Sequence, residues 1–323
     1  MRHALFAFSV ILGFGVATAT HAASFDCAKA KSRSEVLICR TPELSRLDDQ
    51  LMQAYRADLA VSPSPVNLTL AQRQWIADRD KGEPVDNAVT KFRPLTADEM
   101  AHDYADRLNA LKAEIALATA ARATTIAVAD LGKRCVPLGT DPAKCAVSES
   151  GPVKGRAPFA PLWYQIQHEP EAGAEDIQQG VVVFEAAGEG RLRPLLWKFL
   201  EGAYFDAPEF LASPAGPLLW LPGSDSGTGA FNEDVLYHPV SGRWRDLDLQ
   251  TWKDDLARRL PPDKQVWKGV PYDFRDMTVD TYLWRPNDGN CCPTAGSAAV
   301  KLRIDGDRLA IASVKLSNKV PEQ

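Results

Sequence analysis

The chain lacks the Cys-x-x-Cys spacing of a redox motif, any histidine pair at metal-ligand spacing, and any repeat of fixed period. Past its first residues it has no apolar run long enough to cross a bilayer. It also lacks a basic surplus, with 37 Lys and Arg against 42 Asp and Glu. These absences argue against catalysis by a bound metal, against a membrane-inserted mature form, and against nucleic acid or a polybasic membrane contact. Acidity of this degree favours basic partners.

What is present begins with a leader. Arg2 and His3 precede the apolar run Ala4–Val16, and Thr20-His21-Ala22-Ala23 supplies small residues behind it. This pattern predicts a signal peptide over residues 1–22, cut after Ala22, and therefore a periplasmic or secreted protein. No cysteine stands at the cut, so no lipid anchor is expected. Removal of the leader leaves 36 basic and 42 acidic side chains, a net charge of −6.

All six cysteines lie beyond the cut, and an even number in an exported chain points to disulfides. Cys27–Cys39 and then Cys135–Cys145 are the expected pairs by proximity. Cys291 and Cys292 remain, either bonded to each other or crossed with 135 and 145.

After Cys39, Thr41 and Pro42 mark a helix start, and Leu44, Leu47, Leu51, Tyr55 and Leu59 recur at helical spacing. A second helix is predicted from about Leu68 to Arg79, burying Leu68, Ala71 and Trp75. A third opens on a Thr96/Glu99 capping box and carries Met100, Tyr104, Leu108, Leu111 and Ile115. Three such stripes bury only against each other, which predicts a small disulfide-stapled all-α domain over residues 24–120.

Within it, Phe25-Asp26-Cys27-Ala28-Lys29-Ala30, Glu35, Ile38-Cys39, Pro42-Glu43-Leu44, Leu47-Asp48 and Tyr55 stand in order, followed by Gln74-Trp75-Ile76, Arg79-Asp80, Tyr104 and Arg107-Leu108. Over residues 24–117 this run resembles the N-terminal domain of LprI-type proteins. The resemblance implies Asp48, Tyr55, Gln74, Trp75, Asp80 and Tyr104 as motif positions, and lysozyme inhibition as an activity. One departure stands out, since Lys81-Gly82 follows Arg79-Asp80 where the family pattern has another cysteine, which predicts a looser connection to the third helix.

Residues 121–155 read as a linker and cysteine-bearing lead into a second domain over residues 156–320. There the period changes to short strands from Leu162 onward, punctuated by Gly and Pro, which predicts a mainly antiparallel β domain. One helix is expected from about Leu249 to Leu260. A two-residue turn at Asp305-Gly306 would pair Leu302 with Leu309 and Val300 with Ile311. The fold class is thus α+β and multidomain. Trp163, Trp197, Trp220, Trp244, Trp252, Trp267 and Trp284 fit a β core better than a sugar-stacking platform.

No catalytic constellation, cofactor site or metal site is expected. Gly223–Gly229 contains Asp225-Ser226-Gly227 but not a nucleophile elbow, and His168 or His238 would have to serve as its base. Glu233/Asp234 and Asp254/Asp255 read as solvated carboxylates, and Asn287–Asn290 as a turn displaying Cys291-Cys292. The expected function is an exported cell-envelope binding protein, with lysozyme inhibition by cleft occlusion as its sharpest form. Arg79, Lys81 and Arg107 are the candidate partner-binding side chains, although Arg79 with Asp80 also reads as an internal ion pair. The alternatives are a periplasmic enzyme acting on glycan or peptide and an envelope assembly factor.

Overall fold

The computed structural model describes residues 23–85, 91–139, 143–169, 178–225 and 231–319. The predicted leader, residues 1–22, and Ser226 therefore lie outside the described residues. The protein is α+β, a helical N-terminal region followed by mainly antiparallel sheets. Among the described residues no helix is long and apolar enough to cross a membrane.

In chain order the elements are α1 (Arg33–Arg40), α2 (Pro42–Leu59), α3 (Pro65–Lys81), β1 (Glu83–Pro84), β2 (Phe92–Arg93) and α4 (Ala97–Ala123). There follow β3 (Ile126–Ala127), β4 (Ala146–Pro152), β5 (Trp163–His168), β6 (Gln178–Gly188), β7 (Arg191–Glu201) and β8 (Ala203–Phe205). Next come β9 (Glu209–Ser213), β10 (Gly216–Leu221), β11 (Gly223–Asp225), β12 (Val235–Val240), β13 (Arg243–Asp246) and α5 (Thr251–Ala257). The chain closes with β14 (Tyr272–Asp273), β15 (Thr278–Tyr282), β16 (Ser297–Asp305) and β17 (Arg308–Ser317). They fall into two compact units, one formed by the chain up to Gln53 with Arg79–Leu108, the other by Ala54–Asp78 with the chain from Asn109 onward.

In the first unit a disulfide joins Cys39 of α1 to Cys27, which opens a short 3-10 turn capped by Asp26. Pro42 is the first residue of α2, and Leu44, Leu47 and Leu51 are buried along one stripe. The Thr96/Glu99 capping box forms, with Thr96 N donating to Glu99 Oε2 at 2.8 Å. Where the expected second staple is absent, β1 pairs with β2, the Lys81 ammonium lies 3.9 Å from the Phe92 ring centroid, and Arg93 forks onto Glu99. Gly82 is required at this crossing, because its φ is +83° and an added Cβ would lie 2.1 Å from the Arg93 carbonyl oxygen. Gly82→Ala is accordingly expected to lower stability by about 1–3 kcal/mol, measured by urea unfolding.

α3 departs from expectation. It starts earlier, at Pro65, and it buries Gln72 and Arg79, while Ala71 is exposed and Leu68 and Trp75 are only half-buried. Leu68, Leu70, Trp75 and Ile76 are spread around the helix, so no single apolar stripe exists to be covered.

In the second unit the five-stranded sheet runs β3-β7-β6-β5-β4, all antiparallel. Residues 126–127 and 146–152, read from sequence as linker, are its two edge strands. Too short or too polar to announce themselves, they are recruited by pairing with β7 and β5. Both faces of the sheet are covered. Val181 and Val183 of β6 enter a core with Leu219 and Tyr237, whereas Val182 and Phe184 pack against Leu138, Ala118 and Ala121. That is why four successive residues of one strand are all buried. Gln165 and Gln167, also buried, grip the loop behind the Cys135–Cys145 disulfide. Gln165 Nε2 donates to Arg134 O at 2.9 Å, and Gln167 Nε2 donates to Val136 O at 3.2 Å.

A four-stranded sheet β13-β12-β10-β9 and another, β14-β15-β16-β17, share a core built around Trp252 and Leu256 of α5. The β16–β17 register corrects the expectation. Asp305 pairs with Arg308, Ile304 with Leu309 and Leu302 with Ile311, so Gly306-Asp307 form the turn, with Gly306 at φ 64°. A bulge after Lys301 then places Val300 opposite Val314. The turn moves one residue and the partner of Leu302 moves two, which leaves each side chain on its face. Val300, Leu302, Leu309 and Ile311 are all buried.

Candidate functional site

The motif residues of the first unit converge on a chain of polar groups whose central members, Asp48, Arg79 and Tyr104, are buried. α2 supplies Asp48, the last turn of α3 supplies Arg79 and Asp80, and α4 supplies Tyr104. The Arg79 guanidinium, in a residue only 8% exposed, donates from Nε and Nη2 to Asp80 Oδ1 at 3.0 and 2.8 Å and from Nη1 to the Tyr104 hydroxyl at 2.8 Å. Tyr104 donates in turn to Asp48 Oδ1 at 2.7 Å, and Asp48 Oδ2 accepts from Ser24 N at 2.7 Å. Burial pushes the Tyr104 hydroxyl far above its ordinary value, so it remains a donor. Burial opposes the Arg79 charge, but Tyr104 and Asp80 outweigh it and hold the guanidinium above its ordinary value. The chain ties three helices together.

The other sequence candidates are dispersed. Lys81 is exposed over Phe92, Arg107 is half-buried, and Gln74 donates to Asp78 at 2.9 Å on the surface of α3. Tyr55 donates to Thr69 Oγ1 at 3.2 Å in the second unit. His238 Nε2 lies 3.5 Å from Asp307 Oδ1. Among the described residues no three His, Cys, Asp or Glu side chains gather as metal ligands do.

A shallow groove runs along α1. It has a volume of about 330 Å³ and is lined by Lys31, Ser32, Arg33, Val36, Leu37 and Arg40. Arg33, Val36, Leu37 and Arg40 stand at i, i+3, i+4 and i+7, the spacing that puts four residues on one helical face. The same spacing is legible in the sequence. A capping box starts the helix: Glu35 N donates to Ser32 Oγ at 3.0 Å, while Glu35 Oε2 accepts from Lys31 N at 2.6 Å and Ser32 N at 2.9 Å. Those backbone bonds hold the Glu35 carboxyl below its ordinary value. The carboxylate is thus directed at the backbone. Among the described residues Lys31, Arg33 and Arg40 form no ion pair, and all three are exposed. Half-buried Val36 and Leu37 make an apolar floor between them.

The second unit holds its tryptophans mostly inward. Trp197, Trp252 and Trp284 are buried and Trp163, Trp220 and Trp244 half-buried, while Trp267 is exposed. Two of its carboxylates are not the solvated groups their sequence context suggests. Asp234 accepts from Trp220 Nε1 at 2.7 Å and from Asn232 Nδ2 at 3.1 Å, and burial raises it above its ordinary value. Its neighbour Glu233 accepts from Lys198 Nζ at 2.7 Å. Lastly, Cys291 and Cys292 are bonded to each other, which closes the alternative of crossing with Cys135 and Cys145.

No protein-family model, no curated protein and no solved structure matches the chain.

Proposed function

We propose that this is an exported binding protein of the cell envelope whose α1 groove engages an acid-lined cleft, with lysozyme as the target class that the LprI-type resemblance points to. The observation that carries the reading is the set of three exposed cations around an apolar floor on an otherwise acidic chain. Glycosidase clefts work through a pair of carboxylates. A guanidinium is the side chain best shaped to fork onto a carboxylate. Arg33 and Arg40 rise about 10 Å apart along one helix face, so both can address such a cleft. The overall negative charge supports the same reading at longer range, since it speeds encounter with a basic enzyme at low salt. The Asp48–Tyr104–Arg79 chain, buried between helices, then serves as scaffold, leaving partner contact to α1 in place of Arg79.

The test is titration of the mature protein into lysozyme digesting cell walls. Wild type should slow turnover at roughly micromolar concentration. The double variant Arg33→Glu/Arg40→Glu, with its helix content checked by circular dichroism, should need on the order of tenfold more protein. Undiminished turnover with wild type would remove the inhibitor reading, and an equally potent double variant would remove the groove from it.

A further inference from the structure

The third disulfide staples nothing. Cys291 and Cys292 are neighbours, so their bond encloses no loop whose freedom the unfolded chain would otherwise keep. Cys27–Cys39 and Cys135–Cys145, by contrast, span separations of 12 and 10 residues. The Cα atoms of Cys291 and Cys292 are 3.8 Å apart, the distance the intervening peptide imposes. Disulfides ordinarily bridge about 4.4–6.8 Å, and those held outside that span are more readily reduced. Exposure points the same way. Both residues of this pair are exposed, whereas each of the other pairs has at least one cysteine half-buried.

The surrounding loop is fixed independently of the sulfurs. Asp288 Oδ2 accepts from Arg285 N at 2.7 Å and from Thr294 N at 2.8 Å, and Asp288 Oδ1 accepts from Thr294 Oγ1 at 2.7 Å. One carboxylate therefore ties the two ends of the loop together through bonds that involve neither sulfur. Inside it, Cys292 N donates to Gly289 O at 3.0 Å. Asn290, the residue before Cys291, accepts from Trp267 Nε1 at 2.7 Å, and Trp267 is 51% exposed. Opening the eight-membered disulfide ring frees the backbone next to Asn290, and the Trp267 contact is where that freedom is felt.

We propose that Cys291–Cys292 is a thiol–disulfide exchange site for a dithiol, and that the Asn290–Trp267 contact follows its oxidation state. A thiolate of the dithiol attacks one sulfur of the pair. The bond between Cys291 and Cys292 breaks, a mixed disulfide forms, and the other cysteine leaves as a thiolate. The second thiol of the reagent, as thiolate, then attacks the reagent's own sulfur in the mixed disulfide, closing the reagent's disulfide and releasing the second cysteine. Two electrons pass to the pair, and the two protons lost by the dithiol end on Cys291 and Cys292.

The mature protein would be equilibrated with graded ratios of reduced to oxidised dithiothreitol, its free thiols alkylated, and the labelled cysteines mapped by peptide mass. Label should enter Cys291 and Cys292 first, at a ratio on the order of tenfold below that needed for the other two pairs. Re-oxidation should restore the same bond. Over the same range the emission of Trp267, taken as the difference between wild type and Trp267→Phe, should change. Opening of either other pair at the same or a lower ratio would overturn the proposal, and so would an emission difference that stays flat while Cys291 and Cys292 are alkylated.

Discussion

Tyr104→Phe is expected to lower the unfolding free energy by about 2–4 kcal/mol, although it deletes one oxygen atom and keeps the ring. The hydroxyl is the link between a guanidinium and a carboxyl group, accepting from Arg79 Nη1 and donating to Asp48 Oδ1. Its loss takes a partner from each, in a setting where Tyr104 is 0% and Asp48 6% exposed. A buried polar group deprived of its partner costs about 1–3 kcal/mol, and more when charged. Water cannot readily compensate, because the phenyl ring still fills the space. Urea unfolding followed by far-ultraviolet circular dichroism measures the difference. A change smaller than about 0.5 kcal/mol, the range of neutral surface substitutions, would mean that the polar chain does not hold the helices.

A second large effect is expected at Asp246, in the second unit. This carboxylate is fully buried at the end of β13 and accepts from Val66 N at 3.1 Å and Asn67 N at 2.8 Å, the first free amides of α3. Beside it the Ser64 hydroxyl and the buried Tyr237 hydroxyl stand 2.8 Å apart. Burial raises the Asp246 carboxyl from 3.8 to about 6, against the opposing pull of the two backbone amides and the Arg245 charge. The folded protein therefore keeps a proton that the unfolded chain has already lost as pH rises from about 4. The stability contributed by this group is full below the unfolded value and is lost as pH climbs through about 6. Asp246→Asn cannot titrate. The wild-type stability minus that of the variant should therefore fall by roughly 2–3 kcal/mol between pH 4 and pH 7, read from urea midpoints. A difference that is constant over that range, or that rises with pH, would show that the carboxylate is stabilised where it lies.

How much of this was legible follows from the range of each interaction. The α2 stripe and the Thr96/Glu99 box were readable because their partners lie three or four residues away. The face of the last hairpin was readable too, and its register was not. "Asp-Gly-Asp" offers two turns differing by one residue, and the apolar alternation accepts both, since either keeps Leu302 and Leu309 on one side. The edge strands β3 and β4 gave no periodic signal, since their conformation comes from the strands they join. Asp234 read as surface because nothing in its immediate sequence reveals that Trp220, from β10, will donate to it.

Sequence alone determined the α+β order, the starts of α2 and α4 and the Cys27–Cys39 disulfide, because local periodicity, capping and short loop closure are properties of neighbouring residues. Tertiary structure decided what became of the charges. Arg79 went inward to Tyr104, Asp246 reached an α3 terminus about 180 positions away, and Lys31, Arg33 and Arg40 were left outside around a groove. Whether an ionic side chain is buried and paired or left exposed depends on which distant groups arrive beside it, and that is settled only when the chain packs.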